Sequence, residues 1–165
     1  METIPEERPF RLLFVCTGNT CRSPMAEAIA RDLLRRRGLT DVEVGSAGTG
    51  AHPGSRASEE AVTVAAAHGL DLSGHAATLL TEESAREADL ILVMSPAHLM
   101  RALELGAGPR AALLTSYAGG HPEEPMSDSV PDPVGGTEEE YAETFRLLRL
   151  MIERVVDRLE PVLAR

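Results

Sequence analysis

The sequence predicts an α/β domain: three layers, with a central four-stranded parallel sheet flanked by helices. Short apolar runs the length of buried strands alternate with stretches of helical period. Glycine stops and Ser-Pro starts punctuate the helical stretches. The 165 residues suit one domain, 1–165, with room for a proper core, and residues 1–9 are expected to form a flexible extension.

Leu12-Leu13-Phe14-Val15 reads as the first buried strand. It leads through a short loop with Gly18 and Asn19 to Ser23-Pro24, where Ser is a good helix cap and Pro suits the first helical position. The first helix is expected from about Pro24 to Arg37, with Met25, Ile29 and Leu33 on one face and Gly38 as its stop. Val42-Glu43-Val44 reads as strand two, followed by Gly45-Ser46-Ala47-Gly48. A helix over about Ser58–His68 stops at Gly69, and Thr81 can cap a short one. Leu90-Ile91-Leu92-Val93-Met94 is the clearest buried strand, and Ser95-Pro96 opens the next helix. Ala111 to Leu114 reads as a weaker fourth strand. From Ser116 to Gly136 the composition turns to Gly, Pro, Asp and Ser, a long loop of the kind that usually means function or disorder. Thr137-Glu138-Glu139-Glu140 is a capping box opening a final helix through about Leu159.

Hydrophobic content of 43% and charged content of 25% are those of a soluble globular chain. A net charge of −10 provides no basic stripe for nucleic acid and repels anionic membranes. METIPEERPFR lacks the apolar core of a signal peptide, and no apolar run approaches the roughly 20 residues that cross a bilayer. Two cysteines, Cys16 and Cys21, do not make a secreted disulfide framework. A cytoplasmic protein, monomeric by default, is expected. His52, His68, His98 and His121 lack metal-ligand spacing with the cysteines and read as surface positions.

The chemistry concentrates where strand one ends. A loop wrapped on a helix N-terminus aims backbone N–H groups at one point, a site for a dianionic phosphate. There the sequence places a thiol, Cys16, and a guanidinium, Arg22. A free thiol is mostly protonated at neutral pH; the helix end, the loop amides and Arg22 would each stabilise the thiolate. Arg22 can also clamp two phosphoryl oxygens in a planar fork. The leaving group needs a proton, and Asp132 of the long loop is the candidate acid, since loops after parallel strands meet at one sheet edge. Ser23 can donate to the sulfur. These residues predict phosphate removal through a cysteinyl-phosphate, releasing inorganic phosphate and requiring no metal or other cofactor.

Cys16-Thr17-Gly18-Asn19-Thr20-Cys21-Arg22-Ser23 resembles the phosphate loop of the low-molecular-weight protein tyrosine phosphatase family. The likeness extends to Ser46-Ala47-Gly48, His75, the strand from Asp89 and Asp132-Pro133. It implies that Cys16 is the nucleophile, Arg22 the phosphate ligand and Asp132 the general acid. It further implies phosphate binding by residues 17–23, and a left-handed Asn19 held by Ser23, Ser46 and His75.

Within the family the string is closest to bacterial protein-arginine phosphatases, which carry threonine where tyrosine-specific members usually place an aliphatic residue, here Thr20. A hydroxyl can orient a planar guanidinium. The chain has no Trp, and Val134 stands where both groups typically carry an aromatic, so a phenol ring would lose stacking. The resemblance thus implies a phosphorylated protein substrate, phosphoarginine first, with protein-tyrosine phosphatase as the alternative. Arsenate reductase and a non-catalytic anion-binding module rank below both. Arsenate reductases that relay a disulfide through two further cysteines are excluded by the cysteine count. Cys21 shares the loop with Cys16, and a reversible disulfide between them would shelter the nucleophile from over-oxidation.

Overall fold

The computed structural model describes residues 8–120 and 129–163. In chain order its elements are β1 (Phe10–Cys16), α1 (Arg22–Arg36), β2 (Val42–Gly48), α2 (Glu59–Ala67) and α3 (Glu82–Glu87). There follow β3 (Leu90–Val93), α4 (Pro96–Glu104), β4 (Ala111–Leu113), α5 (Leu114–Ala118) and α6 (Glu138–Leu163). The four strands are parallel, in the order β2-β1-β3-β4.

Alternation along β1 builds the layers. Leu12 and Phe14 enter one core with side chains of α1, α2, α5 and α6. Val15, with Leu13 partly buried beside it, enters the other with Ala85 of α3 and Ala102 of α4. All four residues of β3 are buried because helices cover both faces of a central parallel strand. The chain leaves β1 toward β2 on one side and returns to β3 on the other. The carboxyl end of β1, at Cys16, is therefore a topological switch point, where open α/β sheets hold their ligands.

The ends of α1 show where residue-by-residue reading holds and where it fails. Gly38, at φ 72°, completes a Schellman motif, with its N–H donating to the Arg35 carbonyl at 3.1 Å and that of Leu39 to the Leu34 carbonyl at 2.9 Å. At the other end Ser23 is not the cap. The helix starts at Arg22 after Cys21, without a side-chain cap, because the Ser23 hydroxyl is engaged elsewhere. Pro24 then sits in the first turn, where a missing N–H costs no helical bond.

Three further boundaries differ from expectation. Gly45 to Gly48 continues β2, paired residue for residue with β1 up to Cys16 against Gly48. Propensity argues against Gly-Ser-Ala-Gly as strand, and pairing with β1 overrides it. Gly48 must be glycine: a Cβ there would lie 2.4 Å from the Thr17 carbonyl oxygen. Leu114 opens a short helix, α5, that runs into the stretch read as loop; residues 121–128 of that stretch, His121 included, lie outside the described residues. The last helix runs four residues past Leu159, because Pro161 near its end removes only one backbone bond. Its expected capping box is formed, Thr137 Oγ1 accepting from the Glu140 N–H at 3.2 Å and Glu140 Oε1 from the Thr137 N–H at 3.3 Å. The expected N-terminal extension falls mostly outside the described residues; within it, Arg8 forks onto Asp89 at 2.7 and 2.8 Å.

Candidate active site

Cys16 ends β1 and is 3% exposed, on the floor of a cavity of about 200 Å³. Arg22, Asp132, Thr17, Gly18, Thr20, Cys21 and Val134 form the rest of its lining. Sequence-distant Asp132 and Cys16 thus do share one cleft. Among the described residues, no acceptor takes the backbone N–H groups of Thr17, Gly18, Asn19, Thr20 or Cys21. Orphan donors around a helix start are the structural requirement for holding an anion.

The loop is fixed through Asn19, the one non-glycine residue with positive φ (57°) among those described. Asn19 is fully buried, and its side chain is used at every atom. Nδ2 donates to Ser23 Oγ at 2.8 Å and to Ser46 Oγ at 2.9 Å, and Oδ1 accepts from the Thr78 N–H at 2.9 Å. His75 Nε2 donates to the Asn19 carbonyl at 2.7 Å, so Ser23, Ser46 and His75 all meet Asn19. A third layer lies behind them, unread in the sequence: Ser46 donates to Glu27 Oε1 at 2.6 Å, and Glu27 pairs with Arg31 at 2.7 Å.

Ser23 Oγ lies 2.8 Å from Cys16 Sγ. Since the serine oxygen already accepts from Asn19, its own proton is free to point at the sulfur. A buried hydroxyl donating to sulfur stabilises negative charge that builds there when the sulfur is a leaving group.

Arg22, in the first turn of α1, is almost wholly buried and faces the loop that carries Asp132. Its Nη1 donates to the Val130 carbonyl at 3.0 Å, and its Nη2 lies 3.4 Å from Asp132 Oδ2. Val130 is tied in turn to the end of β3, its N–H donating to the Met94 carbonyl at 2.9 Å. Asp132 Oδ1 accepts from the Val134 N–H at 3.1 Å, the turn geometry that suits Asp before Pro. The carboxylate is therefore aimed over the cleft while its side chain stays 45% exposed, open to exchange protons with water.

Cys21 packs beneath the loop, and both thiols are free. Its sulfur lies 3.3 Å from Tyr141 Oη, 3.5 Å from Ser58 Oγ and 3.7 Å from Thr20 Oγ1. Burial, with the Cys21 contact adding to it, pushes the Tyr141 phenol up to about 12. Val134 is exposed and lines the cavity, to which no aromatic side chain contributes among the described residues.

His98 corrects the expectation of a surface position. His52 and His68 are exposed, whereas His98 is buried, with Nε2 2.8 Å from Thr17 Oγ1 and Nδ1 3.0 Å from Ser95 Oγ. Burial, seconded by the positive charge of Arg22 and opposed by Asp132, lowers its pKa to about 4. The signal was present in Ser95-Pro96-Ala97-His98, which puts the imidazole one turn from its own helix cap. A larger cavity of about 540 Å³ lies behind the loop, against Ser46 and His75, and does not include Cys16.

The model of the low molecular weight phosphotyrosine protein phosphatase family matches residues 11–163. Low molecular weight protein-tyrosine phosphatase A of Mycobacterium tuberculosis is 39% identical over 163 residues, 95% of this chain and 96% of that protein. Protein-arginine-phosphatase of Bacillus subtilis is 36% identical over 151 residues, 90% and 96% of the two chains. The structure of YwlE arginine phosphatase from Geobacillus stearothermophilus superposes with a TM-score of 0.82 at 34% identity, covering 93% of this chain and 94% of that one.

Proposed function

The chain belongs to the low molecular weight phosphotyrosine protein phosphatase family, and we propose that within it this protein removes phosphate from arginine side chains of proteins through a phosphocysteine. Relatives named for tyrosine and for arginine are similarly close, and it is the cleft that favours arginine. The observation that carries the reading is the cleft wall: Thr17 and Thr20 line it with hydroxyls, and among the described residues no aromatic lines it. A phenol ring finds no stacking surface there, while a guanidinium with several N–H groups finds hydroxyl oxygens.

In the mechanism the amides of the loop and the Arg22 fork hold the phosphoryl oxygens, releasing Asp132 from its ion pair. The Cys16 thiolate forms an S–P bond as the P–N bond breaks. Asp132, protonated, delivers its proton to the departing guanidino nitrogen. In the second step Asp132 takes a proton from water as that oxygen bonds to phosphorus, and the S–P bond breaks. Ser23 donates to the sulfur as the thiolate returns, and inorganic phosphate leaves. Charge on the equatorial oxygens meets fixed donors throughout.

Substrate choice is tested on purified protein. An arginine-phosphorylated protein is expected to turn over at least about tenfold faster, by kcat/KM, than a phosphotyrosine peptide. Thr20→Ile is expected to narrow or reverse that ratio, because a lost hydrogen bond to a charged group is worth about tenfold. A phosphotyrosine preference in the native protein would overturn the arginine reading and leave the tyrosine alternative.

We extend the proposal to Cys21 as redox partner of Cys16 in a reducing compartment. Peroxide is then expected to inactivate the enzyme reversibly, with dithiothreitol restoring activity, whereas Cys21→Ala makes the loss irreversible. Irreversible loss in the native protein counts against it.

A further inference from the structure

We propose that His98 sets the hydroxyl of Thr17 as a hydrogen-bond acceptor in the cleft wall, making Thr17 a second selectivity residue for a guanidinium substrate. The inference rests on the arginine reading above and adds a residue to it. Thr17 follows the nucleophile directly and lines the same cavity as Cys16, Asp132 and Thr20. Its hydroxyl is not left to rotate, because it lies 2.8 Å from His98 Nε2.

The direction of that bond follows from the other end of the ring. Ser95 is the N-cap of α4, with no side-chain bond to a backbone N–H of the first turn. A capping serine oxygen acts as an acceptor at a helix start. With that role unfilled by the backbone, we assign the 3.0 Å bond between Ser95 Oγ and His98 Nδ1 as one that the ring N–H donates. A neutral imidazole with its proton on Nδ1 has Nε2 as its acceptor, so the Thr17 hydroxyl donates inward to it. The lone pairs of Thr17 Oγ1 then remain for the cleft. Burial and the nearby Arg22 keep His98 deprotonated in neutral solution, so the relay holds one polarity at working pH.

An acceptor fixed in this way discriminates between substrates. The guanidino group of phosphoarginine brings N–H donors beyond the one it loses with phosphate, and one of them can take the place of water on Thr17. A phenyl ring brings none, and the hydroxyl would lose its hydration uncompensated.

The test compares kcat/KM for an arginine-phosphorylated protein and a phosphotyrosine peptide on the full chain. Thr17→Val is expected to lower the arginine-to-tyrosine ratio about tenfold, mainly by raising KM for the arginine substrate, since the bond exists before the chemical step. Thr17→Ser, which keeps the hydroxyl, should hold the ratio within about threefold of native. His98→Leu should repeat the loss, and the double variant Thr17→Val/His98→Leu should add less than about twofold to it. Should the leucine variant not fold, long-range proton–nitrogen NMR of the native protein reads the same relay, with the proton expected on His98 Nδ1. A ratio unmoved by Thr17→Val, no rescue by Thr17→Ser, multiplicative losses in the double variant, or a proton found on Nε2 would each overturn the proposal. A native protein that prefers phosphotyrosine removes the arginine reading and this inference together. A native preference for arginine that survives Thr17→Val removes this inference alone.

Discussion

Cys16→Ser is expected to lower turnover of p-nitrophenyl phosphate by at least about 10⁴-fold, because in the proposed mechanism this residue forms the bond through which phosphorus leaves its substrate. Serine is close in size and keeps the loop geometry, but its hydroxyl is a far weaker nucleophile with no adjacent general base. Binding should respond differently. The backbone N–H groups of the loop and Arg22 are untouched, so affinity for inorganic phosphate is expected to stay within a few fold of native. Steady-state rates together with phosphate titration separate these effects. An anion-binding module with incidental hydrolysis would lose neither, and a serine variant retaining a tenth of native activity would contradict the nucleophile assignment.

The second large effect lies with Asp132 and depends on the substrate. Asp132→Asn keeps the shape and the turn to Val134 and removes the transferable proton. A guanidino nitrogen and a tyrosine phenolate leave poorly unless protonated, and both substrates are expected to slow by about 10²- to 10³-fold. p-Nitrophenolate leaves without help, so its slowing should stay near tenfold or less. The residual loss would reflect the second step of the proposed mechanism, in which the same carboxylate activates water. Equal slowing of all three substrates would take Asp132 out of the acid role. At rest Asp132 is paired with Arg22, 3.4 Å apart. A dianionic phosphoryl group competes for the same guanidinium and frees it.

Local residue chemistry made the strands, the glycine stop at Gly38 and the cleft trio legible in the sequence. Cys16 and Arg22 belong to one loop, and Asp132 sits in a segment whose length signalled function. What remained hidden depends on contacts between distant segments. Ser23 carries every local mark of a helix cap, yet it serves Asn19 and Cys16, because the strained Asn19 needs a hydroxyl there more than the helix does. Gly45 to Gly48 becomes strand only through its pairing with β1. His98 resembled any polar residue on a short helix until the fold set it against Thr17, eighty-one positions away. Glu27 and Tyr141 likewise gain meaning only from what lies across them, Ser46 and Cys21. Even the clearest buried strand showed nothing of its second task, tethering the Asp132 loop through Met94 to Val130.

The most direct test follows phosphorus itself. Acid-quenching the native enzyme with p-nitrophenyl phosphate within the first turnover, then mapping phosphate by mass spectrometry, is expected to show it on Cys16 as one equivalent of p-nitrophenol appears in a burst. No covalent phosphate, together with turnover that continues after Cys16 is alkylated, would contradict the account at its centre.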